Sequence, residues 1–164
     1  MKYTVVLLSL CLAVLTGSLA SRSPAAETSK TSQTLYRAGS QGSFDGPADF
    51  FTGKAHVDSL FPANESAHFS GAYVTFEPGA RSAWHVHPAG QHILVTAGVG
   101  RTQEWGGPIV EIKAADVIWC PPGVKHWHGA SPTKAMTHLV ITGMKNGKNV
   151  EWMEKVTDAQ YSGN

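Results

Sequence analysis

Apolar positions between residues 69 and 142 recur with a period near two. That is the period of a β-strand, whose successive side chains face opposite sides. The first run covers 69–76, places Ala72, Val74 and Phe76 on one face, and ends at Glu77-Pro78-Gly79. Further strands are expected over 83–87, 91–96, 101–105, 109–113, 117–120, 125–130 and 135–142. Breaks fall at Pro88-Ala89-Gly90, Gly98, Gly106-Gly107-Pro108, Ala114-Ala115-Asp116, Pro121-Pro122-Gly123 and Ser131-Pro132. Glycine and proline end strands there by adopting turn geometry or lacking a donor. Short strands at this spacing predict an all-β sandwich or barrel. No segment of this region carries a helical period. Upstream, residues 35–62 mix Gly/Pro breaks with aromatic pairs such as Phe50-Phe51, so irregular structure and one edge strand near 52–57 are expected. The domain proper is expected to begin near His68. A short helix is expected from Asp158, with Thr157 as its N-cap.

The N-terminus has a different pattern. Lys2 precedes an apolar stretch over 5–15, and Gly17-Ser18-Leu19-Ala20 offers a cleavage site before Ser21. This reads as an export signal, and the stretch is short for a membrane span. Residues 1–20 are therefore assigned to a signal peptide, 21–34 to a flexible polar lead, and 35–164 to one domain with an N-terminal extension. The mature protein is expected in the periplasm or outside the cell and free of the membrane. A retained anchor is the alternative.

Composition narrows the function classes. Charged residues make up 15% of the 164, with 13 basic against 12 acidic and no basic stripe. Nucleic-acid binding thus lacks its electrostatic footprint. Cys120 is the only cysteine left once the signal is removed, so no intramolecular disulfide forms, and it reads as a small buried apolar side chain.

Histidine changes the picture most. The chain holds eight, all between His56 and His138. His85 and His87 are two apart on a strand, so they share a face roughly 7 Å apart at the backbone. Gln91 follows the next turn, and an antiparallel return can bring its amide to the same point. His126 and His128 share a face of a later strand. Two such pairs, each beside a Gly/Pro turn, predict a metal centre inside a small barrel. Three or four neutral imidazoles and a neutral amide leave a divalent ion its full charge, which favours Lewis-acid over oxidative chemistry. Ligand softness does not separate Mn²⁺, Fe²⁺, Ni²⁺, Co²⁺ and Zn²⁺.

Gly79, His85, His87 and Gly98 resemble the first signature motif of the cupin superfamily, with Gln91 where that motif has an acidic ligand. Pro121, Gly123 and His126 resemble the second, which Ala115 and Ala130 break at a glycine and an asparagine. A closer resemblance, to the bacterial manganese-dependent cupin hydroxynitrile lyases, rests on Gly46-Pro47-Ala48-Asp49-Phe50-Phe51, Trp84-His85, His87-Pro88, Gly90-Gln91, Lys125-His126-Trp127-His128 and Met136-Thr137-His138. It runs from about Tyr36 to Tyr161.

This resemblance implies a single-domain cupin, a double-stranded β-helix or jelly-roll barrel. It implies His85, His87, Gln91 and His126 as metal ligands, Mn²⁺ as the ion, and a homo-oligomer, dimer or tetramer. The implied reaction is cleavage or synthesis of an aromatic cyanohydrin. His128 would be the general base, or a support that fixes a ligand. His138 would hold the leaving cyanide, or serve as a core histidine. Ala72, Val74 and Phe76 would form apolar pocket wall, with Ser82 near the mouth. The alternatives are a metal-dependent cupin dioxygenase and a non-catalytic ligand-binding cupin. His92 is expected to face outward, His56 and His68 to lie at the surface, and the tryptophans to sit in the core or at a subunit interface.

Overall fold

Alternating burial along the strands builds two antiparallel sheets that share one long strand. The computed structural model describes residues 32–164. The expected export signal and residues 21–31 of the expected lead lie outside the described residues. The strands are β1 (Ser43–Asp45), β2 (Phe51–Thr52), β3 (Ala55–Phe61), β4 (Phe69–Phe76), β5 (Arg81–Ser82), β6 (His85–Val86), β7 (Gln91–Glu104), β8 (Val110–Lys113), β9 (Val117–Cys120), β10 (His126–Ala130), β11 (Met136–Gly143) and β12 (Glu151–Trp152). One helix follows, α1 (Asp158–Ser162).

The first sheet runs β1-β3-β4-β11-β7 and adds β9 on the far side of β7. The second pairs β10 with the distal half of β7 and with β5 and β6; β8, β2 and β12 complete it. The sheets curl into a half-barrel. Two expectations need correcting. Gly98 was expected to end a strand, yet β7 runs through it for 14 residues. Gly98 has φ +78°, and an added Cβ would lie 1.9 Å from the Ala135 carbonyl oxygen. A left-handed, side-chain-free residue there lets the strand turn from one sheet into the other without breaking. A bulge at Thr137/His138 on the partner strand absorbs the bend. The domain also begins earlier than His68, because β3 pairs with β4 from Ala55 opposite Phe76 to Phe61 opposite Gly71.

The main core lies between the sheets and includes Phe51, Val57, Val74, Phe76, Ile93, Val95, Met136 and Val140. A smaller cluster of Trp84, Trp127, Val156 and Tyr161 sits behind β10. The two clusters explain why all five residues of β10 are buried. Its histidines face the barrel, while Trp127 fills the outer cluster. Thr157 caps α1, accepting from the Gln160 backbone N–H. Arg81 donates to the Val156 carbonyl and to Asp158, and the Tyr161 hydroxyl donates to the Ala130 carbonyl at 2.7 Å. These bonds hold the C-terminus against β10 and stiffen the strand that carries His126 and His128.

Candidate metal centre and its cavity

Four strands and the loop after β6 deliver six polar side chains to one end of the barrel interior. His85 comes from β6, His87 from the residue after it, Gln91 from the start of β7, His126 and His128 from β10, and His138 from β11. All are at least nine-tenths buried. The ring centroid of His85 lies 4.3 Å from that of His126, 5.0 Å from that of His87 and 5.2 Å from that of His128. Ligand nitrogens of His85, His126 and His128 all fall within 4.8 Å of one another, close enough to hold a metal ion.

Hydrogen bonds fix which atom each ring offers. Nδ1 of His85 meets the Ala83 carbonyl at 2.9 Å, that of His87 the Asn149 carbonyl at 2.5 Å, and that of His126 the Val124 carbonyl at 3.0 Å. A carbonyl only accepts, so each Nδ1 carries the proton and each Nε2 keeps a free lone pair. Outer hydrogen bonds of this kind orient metal-binding imidazoles. Gln91 donates its Nε2 to the Thr142 hydroxyl at 2.9 Å, which leaves Oε1 as the free end. His87 Nε2, His126 Nε2 and Gln91 Oε1 are buried and find no hydrogen-bond partner among the described residues. Such orphaned atoms are costly unless something binds them, and a divalent cation suits this donor set.

The electrostatics agree. Burial is the largest influence on all five imidazoles and lowers each pKa. His87 falls to about 4, despite the Asn149 carbonyl pushing it back up. His138 also falls to about 4. His85 and His128 lie well below the ordinary value, because neighbouring imidazoles add to the burial. Neutral rings with free lone pairs are the form that binds metals. Cys120 is buried, and desolvation pushes its thiol up to about 12, so it takes no part in nucleophilic chemistry.

The imidazole cluster opens into a cavity of about 360 Å³, lined by His85, His87, Gln91 and His128 on one side. The opposite wall is apolar and includes Phe44, Phe50, Phe51, Val57 and Trp152. Among the described residues, no charged side chain lines it. Ala72 and Val74 lie in the wall. Phe76 does not line it; its ring packs against His128 and His138 at 5.8 Å and 5.6 Å. Ser82 is buried behind His128, its hydroxyl accepting from that residue's backbone N–H, and is not at the mouth. His138 is fully buried and outside the lining, with Nε2 3.1 Å from His128 Nδ1. His92 is exposed and packs on Trp119, and His56 pairs with Asp45 at the surface.

Sequence reasoning missed the wall formed by the two ends of the domain. Trp152 packs against the main core, as expected, but β12 also pairs with β6 and sets Trp152 opposite His85 in register. Its indole stacks on Phe50 at 4.9 Å and lies 4.9 Å from the His85 ring. The Phe50-Phe51 pair was the one available signal. Nothing local in the sequence marked the Asn149 carbonyl.

A curled antiparallel barrel with a histidine cluster at one end defines the class. The cupin domain model matches residues 72–142, and the chain belongs to the cupin family. It is 59% identical over 127 residues to a (R)-mandelonitrile lyase of Granulicella tundricola, covering 77% of this chain and 97% of that protein. Among solved structures it is similar to a cupin-like protein of Thermotoga maritima, with 38% identity, a TM-score of 0.70 and coverage of 80% and 96% of the two chains. A cupin-2 domain of Rhodospirillum rubrum shares the fold at 19% identity and a TM-score of 0.59, covering 79% and 84%.

Proposed function

We propose that this chain is a metal-dependent lyase that cleaves or forms an aromatic cyanohydrin. The observation that carries the reading is the uncharged, largely apolar cavity that ends on the imidazole cluster. It suits a small neutral aromatic molecule with one oxygen directed at the cluster. The 59% identical relative named as a mandelonitrile lyase supports the same substrate class.

His85, His87, Gln91 and His126 would hold the ion, with Mn²⁺ the first candidate. His128 adds a nitrogen to the same cluster. A divalent ion there supplies Lewis acidity, which makes a substrate hydroxyl more acidic. The apolar wall formed by Phe50, Phe51 and Trp152 would orient the aromatic ring and keep water out. His128 would take the hydroxyl proton on Nε2. The C–C bond then breaks, its electron pair leaves with cyanide, and the oxygen becomes a carbonyl. His128 returns the proton to cyanide, giving hydrogen cyanide and an aldehyde. His138 would act through His128, accepting its Nδ1–H and so leaving Nε2 free for the proton. This role fits a buried ring behind His128 better than direct contact with cyanide. We extend the reading to a homo-oligomer of the exported chain, supported by exposed Val117, Trp119, Tyr73 and Ile141.

The test is benzaldehyde release from (R)-mandelonitrile by Mn²⁺-loaded protein. His128→Ala is expected to reduce turnover about 100-fold or more while the ion stays bound. No release above background from fully loaded protein refutes the lyase reading. Oxygen uptake with an aromatic substrate would instead favour a dioxygenase.

A further inference from the structure

We infer that Thr142 is a positioning residue that sets which end of the Gln91 amide faces the metal cluster. The inference rests on the metal-binding reading and is independent of the reaction. Three of the four outer hydrogen-bond acceptors around the proposed ligands are backbone carbonyls, of Ala83, Val124 and Asn149. The fold alone fixes those. The fourth is the Thr142 hydroxyl, the one member of this outer layer that a side-chain substitution removes.

Register places it there. Thr142 on β11 is paired with Gln91 on β7, and both side chains point into the barrel with about 5% exposure. An amide has a donor end and an acceptor end of nearly the same shape. The free end of Gln91 lies among imidazoles whose Nε2 atoms are themselves acceptors. Without an ion those lone pairs would attract the NH₂ end, which would turn a donor toward the cluster. The Thr142 hydroxyl accepts from that NH₂ group at 2.9 Å and holds it outward. Oε1 is thereby presented unpaired to the cluster. Replacing the hydroxyl by a methyl leaves the amide donor buried without a partner. The amide then relieves that cost by flipping, and the cluster loses its oxygen ligand.

The experiment measures the Mn²⁺ dissociation constant by chelator competition, with the urea midpoint of the metal-free protein taken in parallel. Thr142→Val is nearly isosteric and is expected to weaken Mn²⁺ binding about 10- to 100-fold. Thr142→Ser keeps the hydroxyl and is expected to stay within about threefold of the parent. Thr142→Ala replaces Thr142→Val if the latter does not fold. In a Gln91→Leu background, removing the hydroxyl is expected to change the constant no further. The proposal is overturned if removing the hydroxyl leaves the Mn²⁺ constant unchanged. It is equally overturned if Thr142→Ser weakens binding as much as Thr142→Val, or if the loss persists without Gln91. A parent protein that binds no Mn²⁺ refutes the metal reading itself, which distinguishes the two failures.

Discussion

Lowering the pH from about 7.5 to about 5 should destabilise the metal-free protein by an amount set by its buried histidines. In the fold these rings are neutral, because burial resists the charge. In the unfolded chain they titrate near the ordinary 6.5. As pH falls below 6.5 the unfolded chain takes up protons that the fold refuses. Stability present above 6.5 is therefore lost progressively as pH falls toward the folded-state value of about 4. At about 1.36 kcal/mol per pKa unit, His87 and His138 each forfeit about 2 kcal/mol by pH 5 and about 3 kcal/mol below pH 4. Two sites together cost about 4 kcal/mol at pH 5, against a typical total of about 5–15 kcal/mol. His85 and His128 act in the same direction. The assay is urea unfolding of chelator-treated protein at stepped pH. Saturating Mn²⁺ should move the loss to lower pH, because the ion competes with protons for the same nitrogens. A urea midpoint that stays flat from about pH 7.5 to about 5 would mean that the fold accepts these protons as readily as the unfolded chain does.

Gly98→Ala is expected to destabilise by about 3 kcal/mol or more, because it combines a strained backbone with a clash on the Ala135 carbonyl; a urea midpoint near the parent value contradicts the sheet-corner role. Ala72→Phe should fill the cavity and cut turnover of mandelonitrile at least about tenfold, with Mn²⁺ affinity within about threefold of the parent; undiminished turnover would move the substrate elsewhere. Trp152→Ala should enlarge the cavity beside His85 and raise kcat/KM for a naphthyl cyanohydrin relative to mandelonitrile, and an unchanged ratio counts against the wall assignment.

The strands and the histidine cluster were legible for one reason: both depend on local spacing. His85 and His87 share a face because strand geometry demands it, and Gly/Pro turns mark where each strand stops. The N-cap at Thr157 was legible on the same grounds. Pairing across the chain was not. Trp152 reaches His85 only through a two-residue bridge between β12 and β6, too short to leave a period in the sequence. The Asn149 carbonyl that orients His87 has no residue signature, since any amino acid supplies a carbonyl. Gly98 misled because a glycine at a strand end and a glycine at a sheet corner look alike in one dimension. Ser82 and Phe76 share the barrel-facing side with the proposed ligands, but pleat alone does not say which residues reach the cavity and which pack behind His128.

His85, His87, Gln91 and His126 are proposed to hold one divalent ion. Elemental analysis of protein produced with added manganese and iron counts that ion. The expected result is about one ion per chain in the parent and in His128→Ala, with the ion lost in His87→Ala and in His126→Ala. An ion-free parent contradicts the claim outright. An ion retained in His87→Ala but lost in His128→Ala would move the centre to His85, His126 and His128 and remove His128 as the base.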